Sequence, residues 1–302
     1  MSGELEVYAE FDATCAITSH QTYEDLPLDF ITSAEYGDLA TQPHDRLLIW
    51  HRDLCWCLLK DMTPDRSIDL EKGCQRLGTI IDEVPRDTVY TYASRAYTQS
   101  PETFSGLIEE QRFILGLQQA SKCLLSLTQH AAKLPRAATQ QRDIEPLLAG
   151  ILELNSILAD VIMSVDASTF VSSIEPHFIR RAVLGREYYG PTAAQLPLVS
   201  FEALLYGNSA SNELRKHALF QRAYMPATLR KIIDHAHASP PLLFEAIEEA
   251  ASRQIEKYIG RFRRVHLAMA RKAFALQASP SEKARQILEV LLDHQSRTRP
   301  ED

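Results

Sequence analysis

Two histidines occupy positions where an imidazole needs a partner. In the segment IEKYIGRFRRVHLAMARKAF, helical spacing places Ile255, Ile259, Phe262, His266, Met269, Ala270 and Ala273 on one face. An imidazole centred on such a stripe must satisfy a ring nitrogen by hydrogen bonding, titration or metal ligation. A hydrogen-bonded core histidine is the ordinary outcome. Arg263 lies three residues earlier on nearly the same side and can reach a carboxylate at the edge of whatever His266 holds. A haem has that shape: its iron takes an axial histidine on an apolar wall, and its propionates need cations at the rim. The second histidine is His51, in HDRLLIWHRDLCWCLLKDM, on a stripe with Leu47, Leu48, Leu54, Cys55 and Leu58. His51 and Cys55 face together at i and i+4. Cys57 points elsewhere and no second ligand pair exists, so zinc is not expected.

Charge is distributed unevenly along the chain. The 302 residues carry 32 Lys+Arg against 40 Asp+Glu, a formal charge of −8. Between Arg253 and Lys272, however, seven basic residues meet one acid, Glu256, so this segment is +6 and the remainder −14. A basic segment in an acidic protein serves an anion, a partner or a solvated helix face. With no second basic element to build a groove, nucleic acid is not the expected partner. At 45% hydrophobic residues the chain can bury a real core, and 11 glycines and 15 prolines without bias exclude collagen-like or low-complexity architectures.

The N-terminus MSGELEVYAEFD lacks the basic and apolar regions of a signal peptide. No run approaches the ~18 consecutive apolar residues of a membrane span. Five cysteines without framework spacing fit reduced thiols. The expectation is a soluble cytoplasmic protein with no membrane partner.

The elements that must position these residues are helices. Apolar residues recur at three and four spacing, alternating runs are scarce, and no internal repeat is visible, which predicts an all-α fold. Helices are expected over 44–62, 70–81, 107–133, 143–165, 198–206, 212–223 and 227–237, with a short one around 167–179. The strongest is expected over 241–276, with a break near Gly260. VPRDTVYTYASRAYTQSPETF reads as a short helical or irregular aromatic segment, and VLGREYYGPTAAQLP as an ordered loop.

The pattern Arg263-x-x-His266-Leu267, followed by Ala270, Arg271 and Phe274, resembles the proximal haem helix of the indoleamine and tryptophan 2,3-dioxygenase superfamily, closest to the PrnB type of pyrrolnitrin biosynthesis. Three further blocks follow that family's order. Pro85-Arg86-Asp87-Thr88 resembles its Pro-Arg-acid-Thr block. Tyr189-Gly190-Pro191-Thr192-Ala193-Ala194-Gln195 with Phe201–Gly207 resembles its small-residue loop and following helix, and Tyr224-Met225-Pro226 with Ser239-Pro240 the approach to the proximal helix. Together they span 45–275. The resemblance implies a helical haem-binding domain over 106–295, an N-terminal helical portion over 1–105 that contributes the distal pocket, and a flexible tail over 296–302. It implies haem b with His266 as axial ligand and Arg263 as propionate partner.

The helix LLIWHRDLCWCLLK resembles the one that supplies a distal histidine in tryptophan dioxygenases, which assigns His51 a catalytic role there. By the same matching, Tyr90 and Phe113 line the pocket, and Thr192 and Ala193 approach the haem. At one position the match fails. Where the dioxygenases place an arginine for the substrate carboxylate, TFVSSIEPHFIRR places Glu175. Glutamate cannot hold a carboxylate, although it can pair with an amine. Either Arg180 or Arg181 takes over, or the substrate lacks the usual amino-acid head group, or the alignment is one residue out, or Glu175 is a solvated surface acid.

The resemblance therefore implies oxygen insertion into a small aromatic substrate, a hydroxylation or oxidative rearrangement of an aromatic amino acid, indole or phenol in biosynthesis, using O2 or H2O2, in a possible homo-oligomer. Ring cleavage of a tryptophan-type substrate is the alternative within the family. A non-catalytic helical module whose basic helix binds an acidic partner is the alternative outside it.

Overall fold

The structure, a computed structural model, describes residues 27–60, 64–94, 103–134, 141–178, 181–188, 190 and 197–276. Of these, 77% are helical and 3% lie in strands, so the all-α expectation is met. The helices are α1 (Leu28–Ser33), α2 (Tyr36–Ala40), α3 (His44–Lys60), α4 (Pro64–Ile81), α5 (Val89–Ser94), α6 (Ile108–Lys133) and α7 (Gln141–Ser164). After these come α8 (Ala167–Thr169), α9 (Leu198–Tyr206), α10 (Asn212–Arg222), α11 (Ala227–His237) and α12 (Glu249–Ala275). Asp166 caps α8 by accepting from the backbone N–H groups of Ser168 and Thr169. The chain then widens into a π turn over Phe170–Ile174 and tightens into a 3₁₀ turn over Glu175–Phe178.

Two sequence expectations are corrected. The stretch after Arg180 contains an antiparallel hairpin rather than only a loop, β1 (Arg181–Val183) against β2 (Arg186–Tyr188). Its two-residue turn puts both Leu184 (φ 47°) and Gly185 (φ 78°) in the left-handed region that such a turn requires. Leucine is an uncommon choice there, and three-residue strands are too short to show alternation. The second correction concerns α12, which starts at Glu249, not Pro241, and continues unbroken through Gly260. Residues 241–248 form a compact turn instead, in which Ser252 Oγ accepts from the N–H of Phe244 (3.0 Å) and donates to the carbonyl of Ile247 (3.1 Å). Gly207 makes this path possible. At φ 49°, a Cβ on it would sit 2.6 Å from the Ser239 carbonyl oxygen and 2.7 Å from Pro241 N.

The largest core cluster joins four helices: Leu124 and Leu127 of α6, Leu147, Ile151 and Leu154 of α7, Phe201 and Leu205 of α9, and Ile255, Ile259 and Phe262 of α12. A second cluster holds α1 to α4, with Leu54, Leu58, Leu70 and Leu77 at its centre. The hairpin belongs to this cluster through Val183 and Tyr188, and the Leu184 N–H donates to Glu71 Oε2 at 2.8 Å. A segment from beyond residue 105 thus completes the N-terminal packing unit. A third cluster, with Val89 and Tyr90 of α5, Leu125 of α6, Val199 and Ala203 of α9 and Leu229 and Ile233 of α11, joins the two.

Helix α7 is long and apolar enough, by length and composition, to cross a membrane, with a mean hydropathy of 1.6 over 18 residues. Its inner face is in the main core, while Leu152 and Met163 on its outer face are exposed.

Candidate functional site

Helix α12 carries His266 on the turn after Phe262, whose ring it meets edge-on at 6.1 Å. The imidazole is half-buried, and burial holds its pKa below the ordinary value because the protein solvates a cation poorly. Its side chain makes no hydrogen bond among the described residues. One and two turns further on, Met269 and Ala273 line a cavity of about 20 Å³ together with Phe113 of α6, Val161 of α7, Val165 and Phe170. Phe113 and Phe170 close it with an edge contact at 5.4 Å. The structure therefore brings the expected pocket residue Phe113 onto the face of α12 that carries His266.

Arg263 departs from expectation. It does not lie at a rim: it is 5% exposed and donates from Nη2 to Oε1 of Glu202, itself 2% exposed, on α9. Burial pushes the Glu202 carboxyl up, and the Arg263 guanidinium pulls it back down. Two more groups share this cluster. Burial raises the Tyr206 phenol to about 12 against the opposing pull of Arg263. His217 of α10 is lowered to about 4, by burial first and by Arg263 second. None of Glu202, Tyr206 and His217 was singled out from sequence. The available signal was Glu202, the one acid in the otherwise apolar helix LVSFEALLY.

A second polar cluster surrounds His51, which is 1% exposed. Its Nε2 lies 3.7 Å from Cys55 Sγ, and its Nδ1 lies 3.9 Å from Glu83 Oε2. Burial alone would lower this imidazole, but Cys55, Glu83 and Asp87 together raise it to about 9. Burial also pushes the Cys55 thiol well up, so the thiol is neutral at pH 7 and the acids are the charges that hold His51 protonated. Gly78 makes room for the ring: a Cβ there would stand 3.4 Å from His51 Nε2 and 2.7 Å from the Glu83 carbonyl oxygen. The Pro85–Thr88 block forms the roof. Arg86 Nη1 donates to the Tyr188 carbonyl (3.2 Å), and Asp87 Oδ1 accepts from Thr91 Oγ1 (2.5 Å).

Tyr90 is buried in the third cluster, and its hydroxyl makes no hydrogen bond among the described residues. Burial raises its pKa. Glu175 is half-buried in the 3₁₀ turn. That turn reaches the N-terminal unit through an aromatic stack absent from the sequence expectations, Trp56 on Phe104 (4.1 Å) and Phe104 on His177 (4.9 Å). Thr192 and Ala193 lie outside the described residues. His51 and His266 share no cluster of buried side chains. Helix α9 lies between their surroundings, with Val199 and Ala203 toward Tyr90 and Glu202 toward Arg263.

No protein-family profile matches the chain. Among the described residues no group of three or more His, Cys, Asp or Glu is placed to hold a metal ion.

Proposed function

We propose that this chain is a histidine-ligated haem-dependent oxygenase that hydroxylates or oxidatively rearranges an aromatic amino acid or a derived indole or phenol. The observation that carries the reading is His266. It is half-buried and disposed to be neutral, makes no hydrogen bond among the described residues, and stands on the apolar face of the longest helix. Neutral imidazole is the form that ligates iron. A haem held by one axial histidine needs no cluster of protein ligands. The cavity beside this face is far smaller than a haem, so uptake would require α6, α7 and α12 to part there. At about 20 Å³ the cavity has room for little more than a water molecule, so an aromatic ring against Phe113 and Met269 would need the same parting.

In this reading haem b, when bound, supplies the oxygen chemistry with O2 or H2O2. The protein's own residues do the positioning. His266 presents its nitrogen, the Arg263–Glu202 pair fixes α12 against α9, and Phe113, Val161 and Phe170 exclude water from the ring's side. His51, protonated beside Glu83 and Cys55, is a buried group of the N-terminal unit with a proton to give. Arg263 would serve a propionate only by leaving Glu202. Tryptophan-type ring cleavage is the alternative reaction at the same site, and Glu175 in place of an arginine weighs against it.

A second reading has its own support. Arg253, Lys257, Arg261, Arg264, Arg271 and Lys272 are all exposed on the outer side of α12, a basic face suited to an acidic partner. Haem reconstitution of the purified chain separates the two. A Soret band that is lost or shifted in His266→Ala supports the oxygenase. A chain that stays colourless and takes up no haem refutes it and leaves the basic face as the functional surface.

A further inference from the structure

The oxygenase reading leaves a pair of thiols unused. Cys55 of α3 points its sulfur at Cys74 of α4 across the N-terminal core, Sγ to Sγ 3.8 Å, and the same Cys55 sulfur lies 3.7 Å from His51 Nε2. The two cysteines are 1% and 0% exposed, in a cluster otherwise built of Leu54, Leu58, Leu70 and Leu77. Two sulfurs and an imidazole in line suggest either a soft-metal site or a redox pair. Among the described residues no three such ligands are placed to hold a metal, which removes the first option. The remaining chemistry is bond formation between the sulfurs, which stand under 2 Å beyond the ~2.0 Å disulfide length.

We propose that Cys55 and Cys74 form an oxidisable dithiol that closes to an intramolecular disulfide, with His51 as the polar partner of the Cys55 sulfur and hydrogen peroxide as the oxidant. In the first step the Cys55 sulfur, held against the protonated His51 Nε2, attacks one peroxide oxygen. The O–O bond breaks, the sulfur becomes a sulfenic acid, and the Cys55 proton leaves with the departing hydroxide as water. In the second step Cys74 sulfur attacks the sulfenic sulfur, the S–O bond breaks, and the Cys74 proton leaves with the hydroxyl as a second water. The two thiols lose two electrons in all, and one peroxide becomes two waters.

Burial sets the character of the pair. Desolvation pushes Cys55 up, so attack is slow and confined to an oxidant small enough to enter a closed core. The same burial keeps bulky disulfides such as oxidised glutathione out. Cys123, also buried and raised to about 11, has its sulfur on the Gly150 carbonyl at 3.2 Å and no sulfur neighbour among the described residues, so it serves as the internal control. The product would clamp α3, which carries His51, to α4, which carries Gly78 under the His51 ring.

The test is peroxide titration of the folded full-length chain, followed by thiol counting in denaturant and tryptic mapping. Five titratable thiols should fall to three, with reversal by dithiothreitol. The cross-linked peptides should be 53–60 and 73–76, and fragmentation should place the bond on Cys55 rather than Cys57. Cys74→Ala should abolish the link, Cys123→Ala should leave it intact, and His51→Gln should slow its formation several-fold. Because the wild-type map stands without any variant, a misfolded Cys74→Ala does not blunt the result. Five intact thiols after treatment, or a link through a different cysteine, overturns the proposal. An unchanged rate in His51→Gln overturns the role of His51.

Discussion

Arg263 and Glu202 form a buried ion pair between α12 and α9, one turn before His266. Arginine at this point sets the rotation of the histidine helix rather than decorating its surface. Removing one partner leaves the other charge in a poorly solvating interior. Glu202→Gln is therefore expected to cost about 3–5 kcal/mol in urea unfolding, whereas the double replacement Glu202→Leu with Arg263→Met should recover most of the loss. Equal destabilisation of the single and double variants would show that the pair is not the unit that matters.

His217 predicts the acid side of the stability curve. Its folded pKa of about 4 lies below the unfolded value of 6.5, so the folded chain binds the proton less readily. Its contribution is present above pH 6.5 and is lost as pH falls through 4. Between pH 7 and pH 5 this amounts to about 2 kcal/mol. Unfolding free energies of wild type and His217→Gln at the two pH values should converge by roughly that amount on acidification. His51 carries the opposite sign: with a folded pKa of about 9, its contribution is full below 6.5 and fades as pH rises through 9.

Gly78→Ala should disturb the His51 cluster without touching α12. The added methyl would meet the Glu83 carbonyl at 2.7 Å, backbone that cannot swing aside. A loss of about 1–3 kcal/mol is expected by thermal or chemical unfolding. The His266-dependent Soret band of the reconstituted protein should survive, because the helices that carry the two histidines pack in separate clusters.

Glu175→Arg tests the position at which the family resemblance fails. If the half-buried 3₁₀ turn faces bound substrate, the reconstituted protein should gain spectral affinity for carboxylate-bearing aromatics such as tryptophan and lose it for amine-only analogues. Unchanged titrations with both classes would place Glu175 outside the pocket.

The sequence by itself determined the long helices, though not all of their ends. The long periodic stretches at 44–60, 108–133 and 249–275 declare themselves because a 3.6-residue repeat of apolar side chains is a local property that a neighbour does not change. It also determined that His51 and His266 lie on inward faces. The tertiary structure alone decided what those faces meet. Spacing put Arg263 beside His266 and so at the edge of whatever His266 binds. Glu202, 61 residues away, turned it into a core ion pair, because an arginine that loses water takes whichever carboxylate packing brings to it. The Leu184–Gly185 hairpin likewise joined the N-terminal unit through contacts with Glu71 and Arg86, more than 90 residues distant. Cys55 and Cys74 met because α3 folds back on α4. Pairings of this kind depend on how helices pack, and no periodicity within either partner encodes them.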